Sequence, residues 1–406
     1  MTVEQFLKQG VTPYQTAQML EQHFAAQGYE SAPTHFARGG RYLVRNGCAV
    51  FAIAIGEGNA FHVAACHTDS PCFRFKQAPD KQVGDATVWL TEPYGGAIRH
   101  GWLDRKLGIE GAVSVATDTG TRLCNVTLDG AYTIPSVAIH FNRTVNDSLS
   151  LNAATDFNVL GTGSLLDAVA AQLGVRREDI VSTDLRTFVA DEPYRSGDYL
   201  VAPRIDNLTS AYSMMTALTD AGVKGIAVAA FFDLEEVGSR GRGGADTTAL
   251  SDLLARIAED LGLAKPYQTY VMSVDNAHAA HPLHPELTAG TDCARMGEGI
   301  VLKYNANLRY STDLAGGTLA RSIARAADVG VTVFSQRSDL PCGSTLGVIN
   351  LGHVDAVSAD IGIGQLAMHA ASEVCAYRDV DAMTRFLTAF YGSTVRADEQ
   401  EIAVTL

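Results

Sequence analysis

Histidines and carboxylates gather directly after the apolar runs of this sequence. His67 and Asp69 follow the run 61–66, Asp233, Glu235 and Glu236 follow 225–232, and Asp275 closes 270–274. Asp206 sits in Arg204-Ile205-Asp206-Asn207, just ahead of a helix-like stretch. His369 ends Gln365-Leu366-Ala367-Met368-His369, after a glycine-rich turn. Imidazole and carboxylate are the donors of a zinc or manganese site. Two neighbouring cations need several anionic oxygens, and one carboxylate can bridge both; neutral imidazoles add donors without adding negative charge. A further carboxylate, not a ligand, can take a proton from the attacking water. The adjacent pair Glu235-Glu236 suits that division, one as ligand and the other as base. His67-x-Asp69 suits a ligand whose second ring nitrogen is held by a carboxylate. Each feature alone has a plainer reading: a loop after a strand, a solvated acidic pair, a helix cap. Several strand-end clusters of matching chemistry favour the metal reading.

These residues need elements that bring them together. Thr12-Pro13 predicts a helix start, with a side-chain cap followed by a proline whose missing N–H costs nothing there. Asn46-Gly47 between the runs 41–44 and 49–55 predicts a hairpin. From about residue 73 to 200, short β-like pieces alternate with turns, and one amphipathic stretch, 163–173, reads as a helix. After residue 201 strands alternate with helices. The expected fold is α/β: a mixed, mostly parallel sheet sandwiched by helices, formed by residues 1–75 plus 201–406, with a largely β insert at 76–200. Ligands of such sheets bind beyond the carboxyl ends of the strands, where the clusters fall.

Other features carry less chemistry. Pro282 and Pro285 break any helix that would align His278, His281 and His284, so a loop role is expected. Cys342 has no acid or histidine beside it and reads as a small buried residue. The glycine-rich segment 238–244 lacks the Lys-Ser/Thr of a phosphate loop and reads as a turn entering a helix.

Composition narrows the function classes. The chain has 406 residues, 47% of them hydrophobic, and a formal net charge of -14. It can bury a sizeable core, and it lacks the basic footprint of a nucleic-acid or anionic-membrane binder. No apolar run approaches the ~20 residues of a membrane span, and the N-terminal stretch lacks the basic-then-apolar pattern of a secretory signal. Seven cysteines without a CxxC pair predict a reduced, cytoplasmic protein rather than a disulfide framework.

Ordered motifs along nearly the whole chain resemble the M18 metallopeptidases, the aspartyl aminopeptidases. They include Thr12-Pro13-Tyr14, His67-Thr68-Asp69-Ser70-Pro71, Tyr94-Gly95-Gly96 and Trp102-Leu103-Asp104-Arg105. They continue with Ile139-His140-Phe141-Asn142-Arg143, Arg204-Ile205-Asp206-Asn207-Leu208, Glu235-Glu236-Val237-Gly238-Ser239 and Asp275-Asn276-Ala277-His278-Ala279. Lys303-Tyr304-Asn305, Asp339-Leu340-Pro341-Cys342-Gly343 and Gln365 to His369 complete the set. The resemblance implies two divalent metal ions per subunit, usually Zn2+, in a donor set that Mn2+ or Co2+ also fits. It implies that His67, Asp206 and Asp275 hold one ion, that Asp206, Glu236 and His369 hold the other, that Glu235 is the general base and that Asp69 orients His67. It further implies peptide substrates with N-terminal Asp or Glu, a tetrahedral dodecamer, and a dimerisation role for the insert, whose His140 reaches a neighbour's active site. An acidic side chain entering so acidic a protein needs local positive charge; Lys303 stands first, ahead of Arg309, Arg337 and the His140 of a neighbouring copy, because its stretch matches the family. The competing expectations are a related two-metal exopeptidase of neutral or broad preference, a small-amide deacylase, and a non-catalytic assembly protein on the same fold.

Overall fold

The computed structural model describes residues 1–288, 290–397 and 401–406. Its central sheet is mixed. Strands Ile226–Phe232, Phe61–His67, Thr269–Val274 and Val357–Leu366 lie side by side and parallel. Antiparallel strands flank them: Ala49–Ile55 beside the first, and Ile300–Tyr304 and Glu373–Ala376 beside the last. The parallel strands read as unbroken apolar runs because both faces are covered. Along Ile226–Phe232, Ala227, Ala229 and Phe231 enter one core with Met214 and Phe386. Ile226, Val228, Ala230 and Phe232 enter the other with Leu254 and Ile257. Helices Ile205–Asp220 and Tyr377–Gly392 cover the first face, and Ala249–Asp260 covers the second. The four strands therefore end at one edge of the sheet. Register puts Phe232 opposite His67, which sets the loop after Phe232 beside that histidine.

A second, antiparallel sheet has the order Gly120–Tyr132, Leu107–Thr117, Ile180–Val189, Cys72–Val83, Ala86–Tyr94, Val159–Gly161. It has its own core, in which Phe73 stacks on Phe157 with centroids 4.5 Å apart. Helix Leu165–Leu173, capped by Ser164, packs against this sheet. Strands Tyr194–Ser196 and Tyr199–Ala202 return the chain to the large sheet.

Two local expectations are corrected. Thr12 precedes helix Pro13–Ala26 but makes no side-chain cap; its hydroxyl bonds the Gln15 side chain instead. The glycine-rich segment before Gln365 is not a turn but the end of strand Val357–Leu366. A Cβ at Gly362 would lie 2.0 Å from the Asp275 carbonyl oxygen, so glycine marks close backbone approach there. Helix Leu314–Ala326 contains Gly316 and Gly317. Each costs about 1 kcal/mol against alanine, and the cap from Asp313 to the Gly316 N–H (2.7 Å) offsets about as much as one of them. The glycines let the helix lie against the sheet: Cβ atoms there would meet Ser358 O at 1.7 Å and the Tyr304 hydroxyl at 2.1 Å. Among the described residues no helix is long and apolar enough to cross a membrane.

Candidate metal centre

The site is assembled from the carboxyl edge of the parallel strands. His67 is the last residue of its strand, and Asp275 follows Val274 with its N–H bonded to Ile361 O at 2.7 Å. Asp206 opens helix Ile205–Asp220 with non-helical dihedrals. Glu235 and Glu236 lie in a single turn, Glu235–Val237, entered through Leu234 at φ 68°. His369, at φ 67°, lies in the connection from Leu366 to Glu373. Such left-handed conformations are uncommon outside glycine and cluster at functional sites.

These side chains form two triplets that share one residue. His67 Nε2 is 3.5 Å from Asp206 Oδ1 and 3.6 Å from Asp275 Oδ1. His369 Nε2 is 3.5 Å from Asp206 Oδ2 and 3.3 Å from Glu236 Oε1. Each triplet offers ligand atoms within 4.8 Å of one another, and a third grouping adds Glu235 to His67 and Glu236. Two donors each ~2.1 Å from one cation at a tetrahedral angle lie ~3.4 Å apart, so the spacing fits metal ligation. Asp206 Oδ1 and Glu236 Oε1 are buried without a hydrogen-bond partner, as oxygens awaiting a cation would be. The donor set and its orphaned oxygens fit divalent ions.

The electrostatics agree. Burial pulls the His67 imidazole down, but its contacts with Asp206, Asp275 and Asp69 outweigh this and hold it well above its ordinary value. His369 behaves likewise and rises to about 11 through Asp206 and Glu236. Burial raises Glu235 to about 8, with the charges of Asp275, Glu236 and Asp69 adding to the rise. A cluster that retains protons this strongly is one that favours added positive charge.

Supporting groups hold the ligands. The Asp69 carboxylate accepts from the N–H groups of Glu235 and Glu236, both at 3.1 Å, and from the Tyr94 hydroxyl at 2.7 Å. His67 Nδ1 is 3.0 Å from the Asp69 backbone carbonyl and 3.5 Å from its carboxylate. Asp69 therefore contacts His67 and also ties down the turn that carries both glutamates. Tyr94 and Arg186, whose guanidinium lies 4.4 Å over the Tyr94 ring, come from the second sheet, so that sheet reaches the site. Asp233 joins neither triplet; it accepts from the Leu234 N–H at 2.8 Å.

Lys303 is not a solvated edge residue. It is 2% exposed, with Nζ 3.6 Å from Asp275 Oδ2, 3.1 Å from Asn276 O and 5.2 Å from the Tyr310 ring centroid. His140 is exposed on the connection between Tyr132 and Val159 and takes part in neither triplet. His278 and His284 are exposed and His281 is half-buried; the His281 and His284 rings lie 5.1 Å apart, and the His278 ring contacts Phe334 at 5.9 Å. Cys342 is half-buried against the cluster that includes Tyr310 and Phe334, rather than enclosed.

Sequence reasoning missed Glu373. Its two oxygens accept from the N–H groups of Asp206 (2.9 Å) and His369 (2.6 Å). Burial, with the Asp206 charge beside it, raises this carboxyl to about 8. Its position four residues after His369 was the one signal available.

Comparisons with known proteins show the family and the fold. A family profile described as "Aminopeptidase I zinc metalloprotease (M18)" matches residues 6–391. A "Probable M18 family aminopeptidase 2" of Pseudomonas savastanoi pv. phaseolicola is 32% identical, with 96% of each chain covered. The chain in the structure of the Ape4 and Nbr1 complex is 30% identical with a TM-score of 0.90, over 96% of this chain and 84% of that one. The S. cerevisiae mApe1 dodecamer, at 22% identity and a TM-score of 0.81 over 96% of this chain and 95% of that one, shares the fold.

Proposed function

This chain belongs to the M18 family of zinc aminopeptidases, and from that premise we propose that it removes N-terminal Asp and Glu residues from peptides with two divalent ions. The observation that carries the reading is the pair of triplets joined through Asp206, with Glu235 beside them and the Lys303 ammonium at their rim. His67, Asp206 and Asp275 would hold one ion, and Asp206, Glu236 and His369 the other, with zinc the family's metal and Mn2+ or Co2+ acceptable to the same donors. When bound, the ions supply Lewis acidity toward the scissile carbonyl and the attacking water. Glu235, left out of both triplets, accepts the water's proton and passes it to the leaving amine. The acidic ligands receive the free α-amine of the substrate, which favours cleavage at the N-terminus. Lys303 offers the compensating charge for an acidic first side chain.

The insert is assigned a pairing role. His140 is exposed between Ile139 (51% exposed) and Phe141 (86% exposed), and such apolar exposure suits a contact with a second copy. Through that contact His140 reaches the site of a neighbouring copy, within a dodecamer like that of the yeast relative. Seven free cysteines suit a reducing cytoplasm.

Hydrolysis of Asp-, Glu-, Ala- and Leu-p-nitroanilide, with and without chelator, tests the reading. The expected result is chelator-sensitive cleavage of the acidic substrates, restored by zinc, manganese or cobalt. Metal-dependent cleavage of the neutral substrates alone removes the acidic preference, and no cleavage with any metal removes the enzymatic reading.

A further inference from the structure

Two buried carboxylates outside the triplets each accept from the backbone N–H groups of two site residues. Asp69 does so for Glu235 and Glu236. Glu373 does so across a longer chain separation: Oε2 takes the N–H of Asp206 at 2.9 Å, and Oε1 takes the N–H of His369 at 2.6 Å. Glu373 is 2% exposed and opens strand Glu373–Ala376, pairing with Ala202 on the strand that leads to Asp206. One side chain therefore fixes the start of helix Ile205–Asp220 against the connection that carries His369.

The cost of placing a carboxylate there is high. It is removed from water, and it stands behind another carboxylate, that of Asp206. A buried charge persists only where its bonds and neighbours compensate it. Both bonds it makes go to residues of the second triplet. His369 and Ala367 hold left-handed backbones, φ 67° and 56°, so the turn needs a tether to hold the His369 imidazole near Asp206 and Glu236.

We propose that Glu373 is a positioning residue for the second metal site: by holding the backbones of Asp206 and His369 it sets that site's affinity more than that of the site built on His67 and Asp275. This rests on the two-metal reading above. The first site depends on Glu373 only through Asp206, because its other ligands sit on or directly after strands.

Zinc titration of chelator-stripped protein against a chromophoric competitor, with stoichiometry from native mass spectrometry, tests this in wild type, Glu373→Gln and Glu373→Asp. Gln keeps the shape but replaces one accepting oxygen with a donor; Asp keeps the charge and loses reach. Thermal unfolding of the stripped proteins reports folding independently. The expected result is a second equivalent weakened ~10–100-fold in both variants, a first equivalent changed far less, and near-wild-type unfolding in at least one variant. Two equivalents of unchanged affinity in a folded variant overturn the proposal, as does equal weakening of both. A wild type that binds fewer than two equivalents removes the two-metal reading itself and the proposal with it.

Discussion

The two halves of the candidate metal centre are built by different means. In one, His67 ends a central strand and Asp275 directly follows another, both buried, at 1% and 8% exposure. In the other, Glu236 and His369 sit on turns, the former entered at φ 68° and the latter itself at φ 67°, and the His369 side chain is 30% exposed. The first half takes its geometry from the sheet, whose packing would have to change before the ligands could move. The second half takes it from buried carboxylates, Asp69 and Glu373, that hold backbone N–H groups. Access comes through His369: the Glu236 side chain, at 5% exposure, is as enclosed as the strand-borne pair. Asp206 joins the two.

The largest expected effect comes from a turn residue that belongs to neither triplet. Glu235→Gln should lower kcat by ~10²–10⁴-fold while both metal equivalents remain bound; loss of metal in this variant would make Glu235 a ligand rather than the base. The strand-borne half can be broken without touching a ligand side chain. Gly362→Ala places a Cβ 2.0 Å from the Asp275 carbonyl, so the strand or the ligand must shift. Overpacking of this kind costs ~1–3 kcal/mol, and the first metal equivalent should weaken more than the second. Equal weakening would remove the claim that the sheet sets only the first half.

A smaller effect should follow pH. The folded chain holds protons on His67 and His369 more tightly than the ordinary 6.5, and on Glu235 more tightly than the ordinary 4.5. The stability this supplies is full below those ordinary values and is lost as the pH rises toward about 8 for Glu235 and about 11 for His369. Metal takes the place of these protons. The rise in Tm produced by zinc should therefore grow between pH 6 and pH 8, and a constant or shrinking rise would contradict the assignment. Lys303→Ala is expected to be the mildest change to the catalytic chemistry: KM should rise for Asp-p-nitroanilide far more than for Ala- or Leu-p-nitroanilide. Equal rises would leave Lys303 as packing beside Asp275.

Much of this candidate site is legible in the sequence, for a physical reason. A parallel sheet covered on both faces has nothing polar to show until its strands end, so acidic residues and histidines after apolar runs stand out. That is how His67, Asp275 and the Glu235-Glu236 pair announced themselves. What was not legible depends on contacts between distant segments. Glu373 looks like any acidic residue until the backbones of Asp206 and His369 are seen to meet it. Gly362 reads as a turn because glycine usually breaks strands, whereas here it admits the Asp275 backbone. The burial of Lys303 beside Asp275 depends on strand Ile300–Tyr304 being paired on both sides, with Val331–Ser335 and with Val357–Leu366, which its own stretch of sequence does not reveal. The Thr12 cap failed for a local reason: its hydroxyl found a side-chain partner in Gln15.

The central claim is that one carboxylate, Asp206, serves two unequal metal sites. Zinc titration of the stripped wild-type protein at pH 7.5, read by competition and by native mass spectrometry, tests it most directly. Two equivalents per chain should bind in separable steps, and both steps should be lost in Asp206→Ala. A single equivalent in the wild type, or an Asp206→Ala protein that still binds one ion as tightly as before, would contradict it.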